Sequence, residues 1–275
     1  MQIIKETVAF SHTHKRTENQ DYCFSMLFDD APDSNAKLSI LCVMDGVSQA
    51  NGGQAVKIAA KALRRKLAEL LADANELLNM DEETRTQEIF RHLRSAICSA
   101  DSHLQAQQYP DLRLATTISL AAVFDDAVYT ANVGDSPIYL LKLSSEDGVL
   151  PTPVPLYQCQ NKAGKAVEEG QMTEEEALTH DWSNYLYCNA GGKGVQSTLI
   201  HTQRVFLGQS SIILLGTDGA LSVFPKRHLV QLVDQYKQSG LKTIIHKLFD
   251  DVKNSESTDN FTVLAQWTED AYSIY

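Results

Sequence analysis

Apolar positions along this chain switch between two periods. From Ile40 to Met44, within SILCVMDG, they form an unbroken run bounded by polar residues, short and β-branched enough to predict a buried strand. After Gly53 the spacing lengthens: Val56, Ala59, Leu63, Leu67 and Leu70 recur every three or four residues, with Lys57, Arg64, Arg65 and Glu69 between them. That period predicts an amphipathic helix starting near Gly52-Gly53. A break at Asn79 to Asp81 precedes a second helix through Ile89, Leu93, Ile97 and Leu104, ended by Tyr109-Pro110.

Strand patterning returns at Ala115 in ATTISLAAVF and AVYTANVGDSPIYLLKL, which reads as an antiparallel meander with Gly134-Asp135 as a turn between strands. Gln203 to Leu207 and Ser211 to Thr217 read as another hairpin, across Gly208 to Ser210. Two amphipathic helices follow, carried by Leu229, Leu232, Val233 and Tyr236, then by Ile244, Ile245, Leu248 and Val252. Ile3 to Phe10 and Phe261 to Trp267 read as the first and last strands. Residues 144–202 stand apart. They hold Pro151, Pro153, Pro155 and a charged stretch with a short helix at Thr173 to Leu178, where Thr173 and Glu176 suit a capping box. This part reads as an elaboration on sheets with helices packed outside, and long elaborations on a rigid scaffold carry function.

The apolar runs end in acids. Asp45-Gly46, Gly134-Asp135 and Asp218-Gly219 each close one, Asp259 in STDNFTV opens one, and Asp21 in RTENQD leads into another. A lone Asp-Gly is ordinary turn chemistry. Repeated at five strand ends, the pattern predicts a shared rim, where close carboxylates repel unless a hard divalent cation with oxygen ligands offsets their charge. In the loop SHTHKRTENQD, His12 and His14 read as solvated, whereas the fork of Arg16 suits phosphate oxygens.

Composition narrows the classes. At 275 residues, 43% of them hydrophobic, residues 1–275 can bury one large core and are read as one domain. A formal net charge of −11 disfavours nucleic acid and anionic membrane as partners and agrees with a cation site. Five scattered cysteines without a CxxC pair predict a reducing compartment and neither a disulfide framework nor a zinc knuckle. MQIIKETVAF lacks the layout of a signal peptide and no apolar run is long enough to span a bilayer, so a cytoplasmic protein is expected.

Taken in order, RTENQD (Arg16 to Asp21), VMDG (around Met44), ATT (Ala115 to Thr117), NVGDS (Asn132 to Ser136), LLGTDGA (Leu214 to Ala220) and STDNFTV (Ser257 to Val263) resemble the motifs of the metal-dependent PPM/PP2C protein phosphatases, from about Phe10 to Trp267. GQMTEEEALTHDWSNYL, Gly170 to Leu186, is similar to the flap of that family's bacterial branch. The resemblance implies an α+β, four-layer α-β-β-α sandwich: two mostly antiparallel sheets flanked by helix pairs, with a flap at about 158–192. It further implies two Mn²⁺ or Mg²⁺ ions. Asp45 would bridge them, Gly46 would help hold one through its carbonyl, and Asp218 and Asp259 would hold the other. Asp21 would steady metal waters, Arg16 would clamp the substrate phosphate, and Asp135 is read equally as a conditional ligand for a third ion or as a turn residue. The implied reaction is hydrolysis of phosphoserine and phosphothreonine in proteins by a metal-activated water, with a Ser/Thr kinase as counterpart.

Departures from the family pattern shape two alternatives. Val47 stands where eukaryotic members carry the histidine proposed as general acid and bacterial members usually carry methionine, Gln20 replaces the acid of RxxNED, and Pro137 replaces an arginine. SQANGG is longer than the usual Asp-Gly-x-Gly-Gly loop. A glutamine orders a metal water without contributing charge, so the second ion would bind more weakly. The alternatives are a pseudophosphatase kept as a binding module and a phosphatase for small phosphoesters.

Overall fold

Strand β3 (Lys37–Asp45) shows how the layers arise. Ile40, Cys42 and Met44 belong to a core shared with helices, while the alternate residues Leu41 and Val43 belong to a core shared with a second sheet. A strand covered on both faces has no polar side, which is why its sequence is an unbroken apolar run. The same holds for β9 (Ser210–Gly216), where Ile212 and Leu214 pack under helices and Ile213 and Leu215 meet the facing sheet. The computed structural model describes residues 2–29, 37–47, 51–109, 112–143, 152–192, 195, 197–208 and 210–270.

One sheet has the order β1 (Gln2–His12), β10 (Phe261–Asp270), β9, β6 (Ile138–Lys142) and β7 (Val154–Pro155). The other has β2 (Asp21–Asp29), β3, β4 (Ile118–Phe124), β5 (Ala127–Val133) and β8 (His201–Phe206). Every pairing in both sheets is antiparallel. Helices α1 (Gly52–Ala72) and α3 (Glu82–Gln105) cover the second sheet through Val56, Leu63, Leu67, Ile89, Leu93 and Ile97. Helices α7 (Lys226–Tyr236) and α8 (Leu241–Asn254) cover the first through Leu229, Leu232, Ile245 and Leu248. This is the four-layer α-β-β-α sandwich that the motifs imply.

The helices run close to expectation. Asp81 caps α3, accepting from the Thr84 N–H at 2.9 Å, and Thr173 and Glu176 close the capping box of α5 (Glu174–Ala177). Two short helices, α2 (Ala74–Leu78) and α4 (Lys162–Glu168), are too brief to show a period. Pro110, Pro151, residues 48–50 of the SQANGG loop and Gln209 of the expected second turn lie outside the described residues.

Two expected hairpins are corrected. β5 and β6 are not partners: β5 pairs with β4 and β8, β6 with β7 and β9, so residues 134–137 carry the chain from one sheet to the other. Likewise β8 pairs with β5, and β9 pairs with β10 and β6. Buried on both faces, β5, β6 and β9 show no polar side to say which sheet each joins, and the half-buried β8 is told from a hairpin partner of β9 only by its pairing. Gly134, at φ +97°, is fixed by the crossing, since a Cβ there would sit 2.6 Å from Thr117 Cγ2. Asp135 therefore lies on a strand-to-strand crossover between sheets, and its reading as a hairpin turn residue falls away.

Candidate metal and phosphate site

At one end of the two sheets, register and connection bring the strand-end acids together. Asp21 is the direct cross-strand partner of Asp45 in the β2–β3 ladder. Asp218 follows β9 as the first residue of the short helix α6 (Asp218–Leu221), its Oδ1 accepting from the Gly219 N–H at 2.6 Å. Asp135 is buried at the crossover and accepts from Asn161 Nδ2 at 2.8 Å.

The frame around Asp45 is built from hydroxyls. Its N–H donates to Thr117 Oγ1 at 2.9 Å, and its carbonyl accepts from the Thr117 N–H at 2.9 Å and from Thr116 Oγ1 at 2.8 Å. Thr117 Oγ1 also bonds Ser136 Oγ at 2.7 Å, which links ATT and GDS in one buried network. Gly46 and Gly52 meet backbone to backbone, for a Cβ on Gly46 would lie 2.4 Å from the Gly52 carbonyl carbon. That contact sets the N-terminus of α1, the positive end of its dipole, beside the Asp45–Gly46 corner.

Negative charge in this rim is only partly compensated, by Arg16 at its outer edge. Burial, then neighbouring acids including Asp21 and Asp218, push the Asp45 carboxyl well above the usual range. Burial likewise raises Asp21 to about 7 and Asp135 to about 7, with Asp218 adding repulsion to each. Asp218 is raised by burial and by Asp259, and it lies close enough to Asp45 for the two to share a proton. Carboxyls raised by burial and by one another's charge suit divalent cations with oxygen ligands, and the donor set fits Mg²⁺ or Mn²⁺.

Arg16 is the cation at this rim. Its Nε and Nη2 fork onto Asp259 Oδ1 and Oδ2 at 3.2 and 3.1 Å, and Asp259 then Asp218 and Asp45 hold its guanidinium more firmly protonated. Both side chains are over 40% exposed, so the pair is worth at most about 1 kcal/mol and yields readily to a better partner. Gln20 turns outward: its Nε2 donates to Glu18 while its backbone carbonyl accepts from the Gly46 N–H. His14 bonds the Ser257 carbonyl and His12 packs on Phe249, so neither ring faces the acids.

Three positioning residues escape a search for acids. Asn260, buried beside Asp259, donates to the Thr13 and Glu18 carbonyls at 3.0 Å each and accepts from the Gln20 N–H at 2.9 Å, fixing the loop that carries Arg16. Thr217 Oγ1 donates to Asp21 Oδ2 at 2.9 Å, and Asn161 both caps α4 and holds Asp135. Asn260 and Thr217 sit within motifs and Asn161 near the start of the flap, but hydrogen-bond partners so distant in sequence leave no local pattern. Asn260→Ala is expected to cost about 1–3 kcal/mol of stability, since it orphans the Glu18 carbonyl and the Gln20 N–H and leaves the Thr13 carbonyl only the Arg16 N–H. It should also raise KM for a phosphoester, and denaturant unfolding beside steady-state kinetics checks both.

A groove of about 860 Å³ opens from Arg16, Asp135, Asp218 and Asp259 towards Tyr139 and Lys226. Its base is fixed, because Asn132 and Gln158 bond reciprocally and Gln160 Oε1 accepts from the Gly134 N–H at 2.8 Å. Its outer wall is α5, held to α7 by Glu174–Lys226 at 2.7 Å and Glu175–Arg227 at 2.6 Å.

Comparison with known proteins agrees with this geometry. A family model described as Protein phosphatase 2C matches residues 10–251. The chain is 25% identical over 230 residues to the serine/threonine phosphatase stp of Listeria innocua, covering 83% of this chain and 84% of that one. Its fold superposes on the serine/threonine phosphatase Stp1 of Staphylococcus aureus with a TM-score of 0.73 at 20% identity, covering 96% of this chain and 94% of the other. The catalytic domain of the serine threonine protein phosphatase PstP, solved in complex with 2 manganese ions, superposes with a TM-score of 0.70 at 20% identity over 98% of this chain and 100% of that one.

Proposed function

The chain belongs to the protein phosphatase 2C family, and from that membership we propose that it hydrolyses phosphoserine and phosphothreonine in proteins, with two Mn²⁺ or Mg²⁺ ions held by Asp45, Gly46, Asp218 and Asp259. The observation that carries the reading is the rim of mutually repelling carboxyls with one weakly engaged arginine beside it. The relative solved with manganese supports the choice of ion. Bound there, the ions supply Lewis acidity towards a phosphoryl oxygen and activate a water nucleophile.

The residues of the chain do the rest. Asp45 has its backbone fixed by Thr116 and Thr117, which sets the end of β3 from which its carboxylate projects. Asp21, hydrogen-bonded to Thr217, orients water at the edge of the rim. Arg16 leaves Asp259 for the phosphate and orients it for in-line attack, a geometric contribution that its planar fork suits. Asp135, buried at the crossover, would take a third, weaker ion. A Ser/Thr kinase would be the natural counterpart of such an enzyme. Among the described residues no helix is long and apolar enough to cross a membrane.

The direct test is phosphate release from p-nitrophenyl phosphate and phosphothreonine peptides. Release should require Mn²⁺ or Mg²⁺ and stop on chelation; folded, metal-loaded protein without activity on any phosphoester would leave only the binding-module reading. Activity confined to the small ester would favour a small-phosphoester phosphatase instead.

Arg16→Ala should raise KM about tenfold with a smaller change in kcat, because a phosphate clamp acts in ground and transition states alike. The same change should tighten metal binding, since it frees Asp259. Titration calorimetry with Mn²⁺ reads the second effect, and weaker binding would assign Arg16 to the metal site's structure.

Groove and flap bear on substrate choice. Glu174→Gln with Glu175→Gln, which removes both ion pairs to α7, should change kcat/KM on phosphopeptides severalfold while leaving p-nitrophenyl phosphate nearly untouched. Equal losses on both substrates would give those pairs a purely structural role.

A further inference from the structure

We propose that Asp73, Glu88 and His92 form a second metal site, selective for a divalent transition ion such as Zn²⁺, on the outer helix layer. The ligand atoms of these three side chains lie within 4.8 Å of one another. His92 Nε2 is 3.1 Å from Asp73 Oδ2 and 3.4 Å from Glu88 Oε1, and the ring is 4% exposed.

Three groups compete for one atom of this arrangement, His92 Nε2. Nη2 of Arg91 approaches the same His92 Nε2 at 2.9 Å. A ring nitrogen carries either one proton or one lone pair, so it cannot donate to two carboxylates and accept from a guanidinium at once. A cation facing a neutral Nε2 and both carboxylate oxygens satisfies all three groups together. The Arg91 guanidinium now supplies that positive charge, forked onto Glu88, with Glu69 adding to the negative field around it. Its side chain is 59% exposed, so swinging it into solvent costs little.

The donor set points to the class of ion. One imidazole and two carboxylates, with water in the open position, suit tetrahedral Zn²⁺, whereas Mg²⁺ prefers oxygen alone. Glu88 and His92 are one turn apart on the same face of α3, and Asp73 follows the last residue of α1. An ion there would clasp the end of one helix to the other. Since α1 has 21 residues and starts beside Gly46, the site lies about 30 Å from the carboxylate rim, too far to share ligands with it.

The experiment is equilibrium dialysis of the full chain against Zn²⁺ in excess Mg²⁺, which occupies oxygen-only sites, followed by metal analysis. Wild type should retain one more equivalent of Zn²⁺ than His92→Ala, and Arg91→Ala should bind that equivalent about tenfold more tightly. Should His92→Ala fail to fold, Asp73→Asn, at a half-exposed position, gives the same comparison. Zn²⁺ should also raise the Tm of wild type but not of Asp73→Asn. Equal zinc content in wild type and either ligand variant, or weaker binding by Arg91→Ala, overturns the proposal.

Discussion

Asp45→Asn and Asp218→Asn are each expected to lower metal-dependent phosphatase activity on the order of 10³-fold or more, given that even outer-sphere partners of a metal are worth about 10–100-fold. Both changes keep side-chain size and one acceptor oxygen, and exchange the second carboxylate oxygen and its charge for an NH₂ donor. Circular dichroism should therefore be unchanged, while Mn²⁺ titration should show weakened binding. The fold gives a second reason to expect intact structure. Burial and neighbouring acids raise both carboxyls in the metal-free chain, so loss of one charge relieves repulsion among the rest. A variant that is inactive, folded and metal-poor locates the defect at the rim. Full activity in either variant would remove the metal-centred mechanism.

The second large effect is on stability against pH. Asp21 and Asp135 each rise from an ordinary 3.8 to about 7 on folding, because burial disfavours their charged forms. Between those values the folded chain holds more protons than the unfolded one, so the stability of the metal-free protein falls as pH rises through that window. The penalty is absent below 3.8 and complete above about 7, where it reaches roughly 4 kcal/mol per group. Divalent cations binding the ionised carboxylates would offset it. Melting curves in chelator should accordingly move down between pH 5 and pH 8, and curves in Mn²⁺ should not. Asp135→Asn, which cannot ionise, should raise the metal-free Tm at pH 8 by several degrees. A flat metal-free profile would mean that the acids are solvated and not packed against one another.

Much of this was legible in the chain. The 3.6-residue period of Val56 to Leu70 and of Ile89 to Leu104 found both long helices of one layer, because each buries a single stripe. The apolar run Ile40 to Met44 found the central strand, and the capping signal at Thr173 found α5. Acids at apolar ends found the rim, since a strand that ends at the edge of a core must leave its polar terminus there. The partners of those acids were not visible. Asn260 acts on Thr13, Glu18 and Gln20 from 240 or more residues away, and Thr117 acts on Asp45 across 72.

Local sequence thus determined the elements, their amphipathic faces and the positions where charge meets the end of a strand, all of which depend on neighbours within a turn or a pleat. Only the tertiary structure decided which sheet each strand joins. β5 and β6 are four residues apart yet lie in different sheets, and so do β8 and β9. Apolar on both faces, β5, β6 and β9 fit either sheet equally well by pattern, and for the half-buried β8 as for them the choice rests on long-range packing and register. The same packing aligned Asp21 with Asp45, set Arg16 on Asp259, and brought Asp73 from the end of α1 to His92 on α3. Each of these pairings joins residues whose spacing in the chain carries no period, so each depends on where the layers meet.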